Sequence, residues 1–121
     1  MTNMPRLTKI AESLPEVVRV DVEAWGGEPT FRVRKKNFVF TNPDATQITV
    51  KLDKAEAEAL TATDADAQPT RYGLGRNGWV TIRLGSRPGA ARWREVEEWV
   101  RTSYALVAPA TLARQVTPAD H

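Results

Sequence analysis

Three glycines in the middle of the chain have the spacing of a phosphate-binding loop. Gly73, Gly75 and Gly78 spell G-x-G-x-x-G. In a dinucleotide-binding domain this motif follows a strand and opens a helix, so that the helix N-terminus meets a pyrophosphate. Here the residues from Trp79 to Leu84 alternate with a period of two, which is typical of a strand. The context excludes the dinucleotide motif, and we interpret the glycines as turn residues.

The side chains that usually carry catalysis are scarce. The chain has no cysteine, and its only histidine is the terminal His121. This argues against thiolate chemistry, histidine-ligated zinc and a Ser-His-Asp triad. Glu95, Glu97 and Glu98 are clustered carboxylates, but on a helix they are expected to face solvent with no base or nucleophile beside them. We therefore expect no enzyme activity, no metal and no cofactor.

Basic residues are the remaining candidates, because lysine and arginine neutralise phosphates. The net charge is only +2, but no Asp or Glu occurs between Ala67 and Arg94. A second basic block runs from Arg32 to Lys51 and is interrupted only by Asp44. Folding can gather such blocks into a positive face that attracts polyanions, although an ordinary solvated surface explains charge runs as well.

Apolar periodicity predicts the elements that must position these groups. The order is a helix, three or four strands, a helix, two strands and a last helix. Helices are predicted at 7–14, 54–60 and 93–107, with one more turn at 111–116. Strands are predicted at 18–22, 30–34, 38–41, 47–52, 70–74 and 79–84. Neighbouring antiparallel strands with helices on one face define an α+β two-layer sandwich.

Several details of this sandwich are expected from the pattern. Val18, Val20 and Val22 should form a buried strand face, and Asp53 should cap the second helix. Trp99 lies roughly 100° from the middle of the last helix's apolar stripe, and we expect it at the rim. The apolar residues of the last strand should face the helix that carries this stripe; they are Val80, Ile82 and Leu84.

The chain fits a single domain, 1–121, with loose ends at about 1–6 and 117–121. Its first residues contain no uninterrupted apolar run, so neither a secretory signal nor a membrane span is predicted. The absence of cysteine suits a reducing compartment. We expect a cytoplasmic protein without a membrane partner.

Five segments resemble the MmcQ/YjbR family of small bacterial proteins in their order and spacing. They are LPEV, WGGEPTFRVRKKNFVF, TVKLD, GRNGWVTIRL and SYALVAPATLA, and the resemblance covers about Leu7 to Leu112. It implies a secretion-chaperone-like α+β fold, often described as similar to a double-wing DNA-binding arrangement.

The resemblance also implies positions for three functional segments. The basic hairpin turn falls at Lys35 and Lys36, the loop before the last strand at 76–79, and the terminal motif at Ala108 and Pro109. Many members have Lys after that proline, whereas this chain has Ala110. The departure puts a phosphate contact there in doubt.

Charge pattern and resemblance together predict a DNA-binding protein with phosphate-dominated contacts of low specificity. An exposed tryptophan would add a stacking surface for unpaired bases, unless Trp79 only covers the apolar stems of its neighbours. The predicted contacts come from a basic sheet face and hairpin loops; they are Arg32, Arg34, Lys35, Lys36, Lys51, Arg71, Arg76, Trp79 and Arg83.

The alternative is a protein-interaction or regulatory module with no nucleic-acid ligand. Secretion-chaperone-like folds associate through helices or sheet edges. Trp25 and a rim-placed Trp99 would then anchor a protein partner or a second copy in a homodimer, since interface cores favour tryptophan. The other interpretation is that both tryptophans only pack in the core or at its rim, because large aromatic side chains bury well in small domains.

Overall fold

Six antiparallel strands form one sheet in the order β1-β2-β3-β4-β6-β5. The computed structural model describes residues 2–71 and 73–116, with Trp25 described by its backbone alone. The elements in chain order are α1 (Met4–Glu12), β1 (Val17–Val22), β2 (Glu28–Val33), β3 (Lys36–Thr41), β4 (Gln47–Lys51), α2 (Lys54–Thr63), β5 (Ala67–Pro69), β6 (Trp79–Arg83), α3 (Ala90–Val107) and α4 (Ala110–Val116). The predicted α+β class and element order are confirmed.

One face of the sheet, the inner face, carries the core. It is lined by apolar residues from neighbouring strands, and α3 crosses it over β3 and β4. Trp93, Val96, Val100 and Tyr104 form the buried stripe of α3, as predicted. The strand residues 80, 82 and 84 are buried as expected, but α2 rather than α3 is the main neighbour of β5 and β6.

The opposite face is called the outer face below. The register places the following side chains on it: Val18, Val20, Val22, Glu28, Thr30, Arg32, Asn37, Phe40, Gln47, Thr49, Lys51, Gln68, Trp79, Thr81 and Arg83. Most of these side chains are polar, because a face without a helix layer meets water.

A β-bulge in β3 interrupts the alternation of inner and outer side chains. Phe31 pairs with Val39 and Arg32 pairs with Asn37, so Phe38 has no partner on β2. The extra residue turns two consecutive side chains inward, and both Phe38 and Val39 are fully buried. Beyond the bulge, Asn37 returns to the outer face.

Ser103 of α3 joins the bulge to β4. Its hydroxyl donates a hydrogen bond to the Phe38 carbonyl at 2.6 Å and accepts one from the Lys51 N–H at 2.8 Å. The last β3–β4 pair on this side is Val39 with Val50, so the serine continues the ladder where the two strands no longer pair. The side chain is fully buried, and α3 is thereby tied to both strands.

Arg92 provides a second link between α3 and its surroundings. Its guanidinium lies 5.5 Å from the centre of the Trp99 ring and 2.7 Å from the Asp64 carboxylate at the end of α2. The hydrogen bond from Arg92 lowers the pKa of Asp64 below its usual value. Trp99 is only 7% exposed, so the expected rim position is wrong. The cation above its ring explains how a side chain off the stripe becomes buried.

The valines of β1 contradict a second expectation. Val18, Val20 and Val22 lie on the outer face, since Val18 pairs with Arg32 and Val20 with Thr30. Val18 is 58% exposed. Alternation identified the strand, but at a sheet edge it does not identify which face is covered.

The first strand of the second hairpin also differs from the prediction at 70–74. The strand is Ala67–Pro69, paired with β6, and Leu74–Asn77 forms a 3₁₀ turn. Pro69 is tolerated because β5 is an edge strand and the missing N–H breaks no central ladder.

Asn3, within the range 1–6 that was expected to be loose, connects the start of α1 to two loops. The Asn3 amide donates to the carbonyls of Ala45 at 3.0 Å and Gly85 at 2.7 Å, and α1 begins at Met4. The range 117–121 lies outside the described residues.

Asp53 occupies the N-cap position of α2, as predicted, but its side chain makes no capping hydrogen bond. Within the described residues no helix is long and apolar enough to span a bilayer.

Replacing Ser103 with alanine should lower the free energy of unfolding by about 1–3 kcal/mol, because two buried backbone groups lose their shared partner. Urea denaturation measures the change. Ser86→Ala, at an exposed serine, is the matched control and should stay within about 0.5 kcal/mol of the native protein. A Ser103→Ala loss no larger than the control's would contradict the proposed link.

Asp64→Asn should destabilise the protein near neutral pH by about 1–2 kcal/mol, since it removes a hydrogen-bonded ion pair. Asp64 has a lowered pKa in the folded state, so its contribution is present above the unfolded pKa of about 3.9. It disappears as pH falls through the folded pKa. Urea midpoints of native and variant protein should therefore converge in acid, and a difference independent of pH would rule out this origin.

Candidate nucleic-acid interface

An aromatic pair lies on the outer face. The rings of Phe40 and Trp79 meet edge to face, with centroids 5.5 Å apart and planes at 71°. The two residues belong to β3 and β6 and are connected through β4, where Phe40 pairs with Thr49 and Lys51 pairs with Trp79. Both rings are half-buried, so part of each remains accessible. The register thus places two aromatic rings and one lysine within a small area.

Carboxylates are almost absent from the strands around this pair. Asp21 and Glu28 are the only acidic residues in the six strands. Asp21 pairs with Pro29 on the inner side, and Glu28 is on the outer face at the start of β2, two residues from Thr30, the partner of Phe40. The outer face also carries Arg32, Lys51 and Arg83, which gives it an excess of positive charge.

The register brings most of the predicted contacts to one end of the sheet. We call it the turn end, because it holds the β2–β3 turn. Eight of the nine predicted residues lie there, namely Arg32, Arg34, Lys35, Lys36, Lys51, Arg71, Arg76 and Trp79. Arg83 lies at the opposite end of β6, opposite Gln47. The predicted cations therefore lie along one end of the sheet, from the β2–β3 turn to the loop after β5, and Arg83 lies apart from them.

Three of these cations already have partners. Arg34 contacts Glu16 at 2.6 Å, and this hydrogen bond lowers the pKa of the Glu16 carboxyl. Arg32 donates to the Asn37 amide oxygen at 2.7 Å, and Arg83 lies 3.3 Å from Asp66. These contacts are at or near the surface and remain open to exchange with an anionic ligand.

The other five cations of the turn end form no ion pair with any residue in the described part of the chain; they are Lys35, Lys36, Lys51, Arg71 and Arg76. Four of them are exposed and Lys51 is half-buried. Their charges are therefore available to a ligand. Asp53 and Glu56 begin α2 close by, so the positive cluster has an acidic border.

The β2–β3 turn is tighter than predicted. Arg34 and Lys35 both have positive φ, at 50° and 70°, so two residues connect the strands and Lys36 already belongs to β3. Consecutive positive φ values define the mirror-image turn that matches strand twist. The geometry projects Lys35 from the tip of the hairpin.

The glycine motif is turn geometry, as the sequence indicated. Gly73 and Gly78 have φ of 79° and 92° and bracket the 3₁₀ turn that carries Arg76. The Gly78 carbonyl accepts the Leu52 N–H at 2.8 Å, and a Cβ at position 78 would collide with the Leu52 carbonyl oxygen. The glycine therefore lets the loop lie against the residue that precedes α2.

Sequence reasoning missed two features of this face. Phe40 was recognised as part of a strand but not as the partner of Trp79. A row of hydroxyls was also missed, in which Thr81 contacts Thr49 at 2.9 Å and Thr70 at 3.1 Å. Alternation predicts both Thr49 and Thr81 on the outer face, but nothing in the sequence gives the pairing of β4 with β6 that brings their hydroxyls together.

The fold and its outer face define a small α+β class with one antiparallel sheet, and comparison with known proteins identifies the family. Residues 12–106 match the family model described as YjbR. The chain belongs to the YjbR family. Nothing among the curated proteins matches it.

A solved structure supports the same assignment. It is the crystal structure of Deinococcus radiodurans protein DR2400, whose domain is described as DUF419. The two chains superpose with a TM-score of 0.67 at 25% sequence identity, over 88% of this chain and 78% of the other. The predicted family membership is confirmed, and the similarity concerns the fold rather than any described activity.

Gly78→Ala should be strongly destabilising, by more than about 2 kcal/mol, because it combines a strained positive φ with a collision against backbone. Gly73→Ala is the matched control, since Gly73 has a similar φ but a Cβ added there would have no atom within 4 Å. That change should cost only about 1–2 kcal/mol. Thermal or urea unfolding compares the two variants, and equal losses would show that the contact with Leu52 does not matter.

Proposed function

We propose that this YjbR-family protein binds nucleic acid, and DNA in particular, through the turn end of its outer face. The observation that supports this most is the Phe40–Trp79 pair beside Lys51, on strands with almost no carboxylates. Aromatic rings stack on bases, and nearby cations hold the phosphates on either side. Arg71 and Arg76 extend the positive charge beyond the sheet edge.

Binding of this kind is dominated by phosphate contacts. The cations lie on strands and loops, and none of the described helices presents a row of base-reading side chains on the outer face. Sequence-specific readout of a duplex usually requires an element that enters the major groove. We therefore propose low sequence preference and a steep dependence on salt.

Single-stranded nucleic acid fits the aromatic pair better than a duplex does, because only unpaired bases expose their ring faces. The hydroxyl row formed by Thr49, Thr70 and Thr81 supplies further hydrogen-bonding groups next to the rings. Duplex DNA would reach the same cations through its backbone but would leave the rings unused.

The proposed role is binding without catalysis. The clustered glutamates of α3 give no support to an acid–base site, since Glu95 contacts Arg92 at 3.2 Å and all three side chains are exposed. The alternative is a protein-interaction module. Trp99 offers little surface to a protein partner, because its side chain is buried under Arg92. That alternative becomes the better one if the protein binds neither strand form at low salt.

Replacing Trp79 with alanine should weaken binding to a single-stranded oligonucleotide by about 1–3 kcal/mol and leave the salt slope nearly unchanged. Trp79→Phe retains a ring and should recover most of the loss. Fluorescence anisotropy with a labelled oligonucleotide measures both variants, and circular dichroism checks folding. Equal weakening of single- and double-stranded binding, accompanied by lower thermal stability, would show that Trp79 only packs.

Reversing the charges of Lys35 and Lys36 together should flatten the slope of log affinity against log salt. Each duplex phosphate contact contributes roughly −0.9 to this slope, so the double glutamate variant should lose up to about two units. Arg94→Glu with Arg114→Glu makes the same change of charge on exposed residues of α3 and α4. If this control flattens the slope as much, the effect is overall charge and the turn end is not the site.

A further inference from the structure

The free edge of β1 is the longest open backbone edge of the sheet. In the part of the chain that the structure describes, no strand pairs with β1 on the side away from β2. β1 has six residues, whereas the opposite edge strand, β5, has three and ends in Pro69. Open edges expose unpaired N–H and C=O groups and are templates for a further strand.

Two hydrogen bonds show which backbone groups of β1 point toward β2 and, by alternation, which point toward the open edge. The Thr30 hydroxyl donates to the Val20 carbonyl at 2.7 Å, and the Gly27 N–H donates to the Val22 carbonyl at 3.0 Å. The carbonyls of Val20 and Val22 therefore point toward β2. Because backbone groups of successive residues alternate across a strand, those of Arg19 and Asp21 point to the open edge.

We propose that a second copy of this chain pairs with β1 in an antiparallel arrangement, about a two-fold axis at Val20. In this register Arg19 lies opposite Asp21 of the second copy, and the reverse pair forms on the other side of the axis. Val18 lies opposite Val22 of the second copy. The outward backbone groups of residues 19 and 21 then make the ladder hydrogen bonds between the copies.

Charge selects this register over its neighbours. A shift of the axis to residue 19 would place two arginines opposite each other, and a shift to residue 21 would place two aspartates opposite each other. Like charges directly across strands destabilise the pairing, and opposite charges favour it. Within one chain Arg19 and Asp21 already contact each other at 2.9 Å with both side chains exposed, so forming the pair between copies replaces an equivalent contact.

The arrangement also covers apolar surface. Val18, 58% exposed in the single chain, would lie beside Val22 of the second copy, and the valines of both β1 strands would form one apolar strip on the outer face. Since the axis is perpendicular to the sheet, both helix layers lie on one side of a continuous twelve-stranded sheet. This inference does not depend on the proposed nucleic-acid binding.

Disulfide trapping tests the register directly, because the chain contains no cysteine. Val20→Cys places two cysteines together at the axis, where opposed residues that are not hydrogen bonded have Cα atoms about 4.5 Å apart, within disulfide range. Mild oxidation should give a covalent dimer. Val22→Cys alone is the control and should cross-link at least about tenfold more slowly, whereas a mixture of Val18→Cys and Val22→Cys proteins should cross-link to each other.

Charge reversal provides a second test, read by sedimentation velocity. The native protein should form a dimer, and Arg19→Asp or Asp21→Arg should each reduce dimerisation at least about tenfold. An equimolar mixture of the two variants should restore a dimer, because one variant then carries only aspartates at positions 19 and 21 and the other only arginines. Glu97→Arg, an exposed reversal on α3, should leave dimerisation unchanged.

Three results would overturn the proposal. One is a native protein that stays monomeric up to about 1 mM, well above the range of specific dimers. Another is a dimer that both reversals leave intact, which would place the interface elsewhere. The third is Val22→Cys cross-linking as fast as Val20→Cys, which would show random collision. Restoration by mixing separates loss of the interface from loss of folding.

Discussion

The buried hydroxyl of Ser103 is the contact on which the arrangement of the outer face depends. It bonds to the bulged Phe38 and to Lys51, so it fixes the end of β3 against the end of β4 beneath α3. Lys51 in turn pairs with Trp79, whose ring meets Phe40. A contact inside the core thereby positions the aromatic pair on the surface. Without the bulge, the alternation on β3 beyond Val39 would be reversed and Phe38 would face solvent.

Arg92 of α3 and the cations of the turn end differ in their partners. Ion pairs of the helix layer join its elements, as Arg92 does with the end of α2, and these charges are satisfied within the protein. The strands carry almost no acid, and several cations of the turn end have no partner in the described residues. Unpaired like charges at one end of a sheet repel one another and cost stability. A bound polyanion would reduce that repulsion.

Periodicity predicted much of the fold but little of its pairing. The core positions of β4 and β6, the stripe of α3 and the turn role of the glycines followed from residue spacing. The bulge at Phe38 could not be predicted, because residues 38–40 are all apolar and do not show which of them face the core. Which face the β1 valines occupy depends on what covers the sheet edge, and the burial of Trp99 depends on Arg92 above it. Both features depend on tertiary contacts, which local residue spacing does not show.

The candidate site was predictable as a set of residues but not as a place. Charge counting found the cations, yet only the register shows that Arg83 is apart from the others and that Phe40 completes the aromatic pair. Ion pairs such as that of Arg34 with Glu16 join residues distant in sequence, so they too were invisible. The sequence therefore predicts which residues are candidates, whereas their positions relative to one another depend on the strand order.

An NMR titration of isotope-labelled protein with a short single-stranded oligonucleotide at low salt tests binding at the turn end most directly. If the oligonucleotide binds there, the Trp79 indole N–H and the amides of Thr49, Lys51 and Thr81 shift together, while amides on the solvent side of α3 stay in place. No shift at any oligonucleotide concentration, or shifts centred on the helix layer, would contradict it.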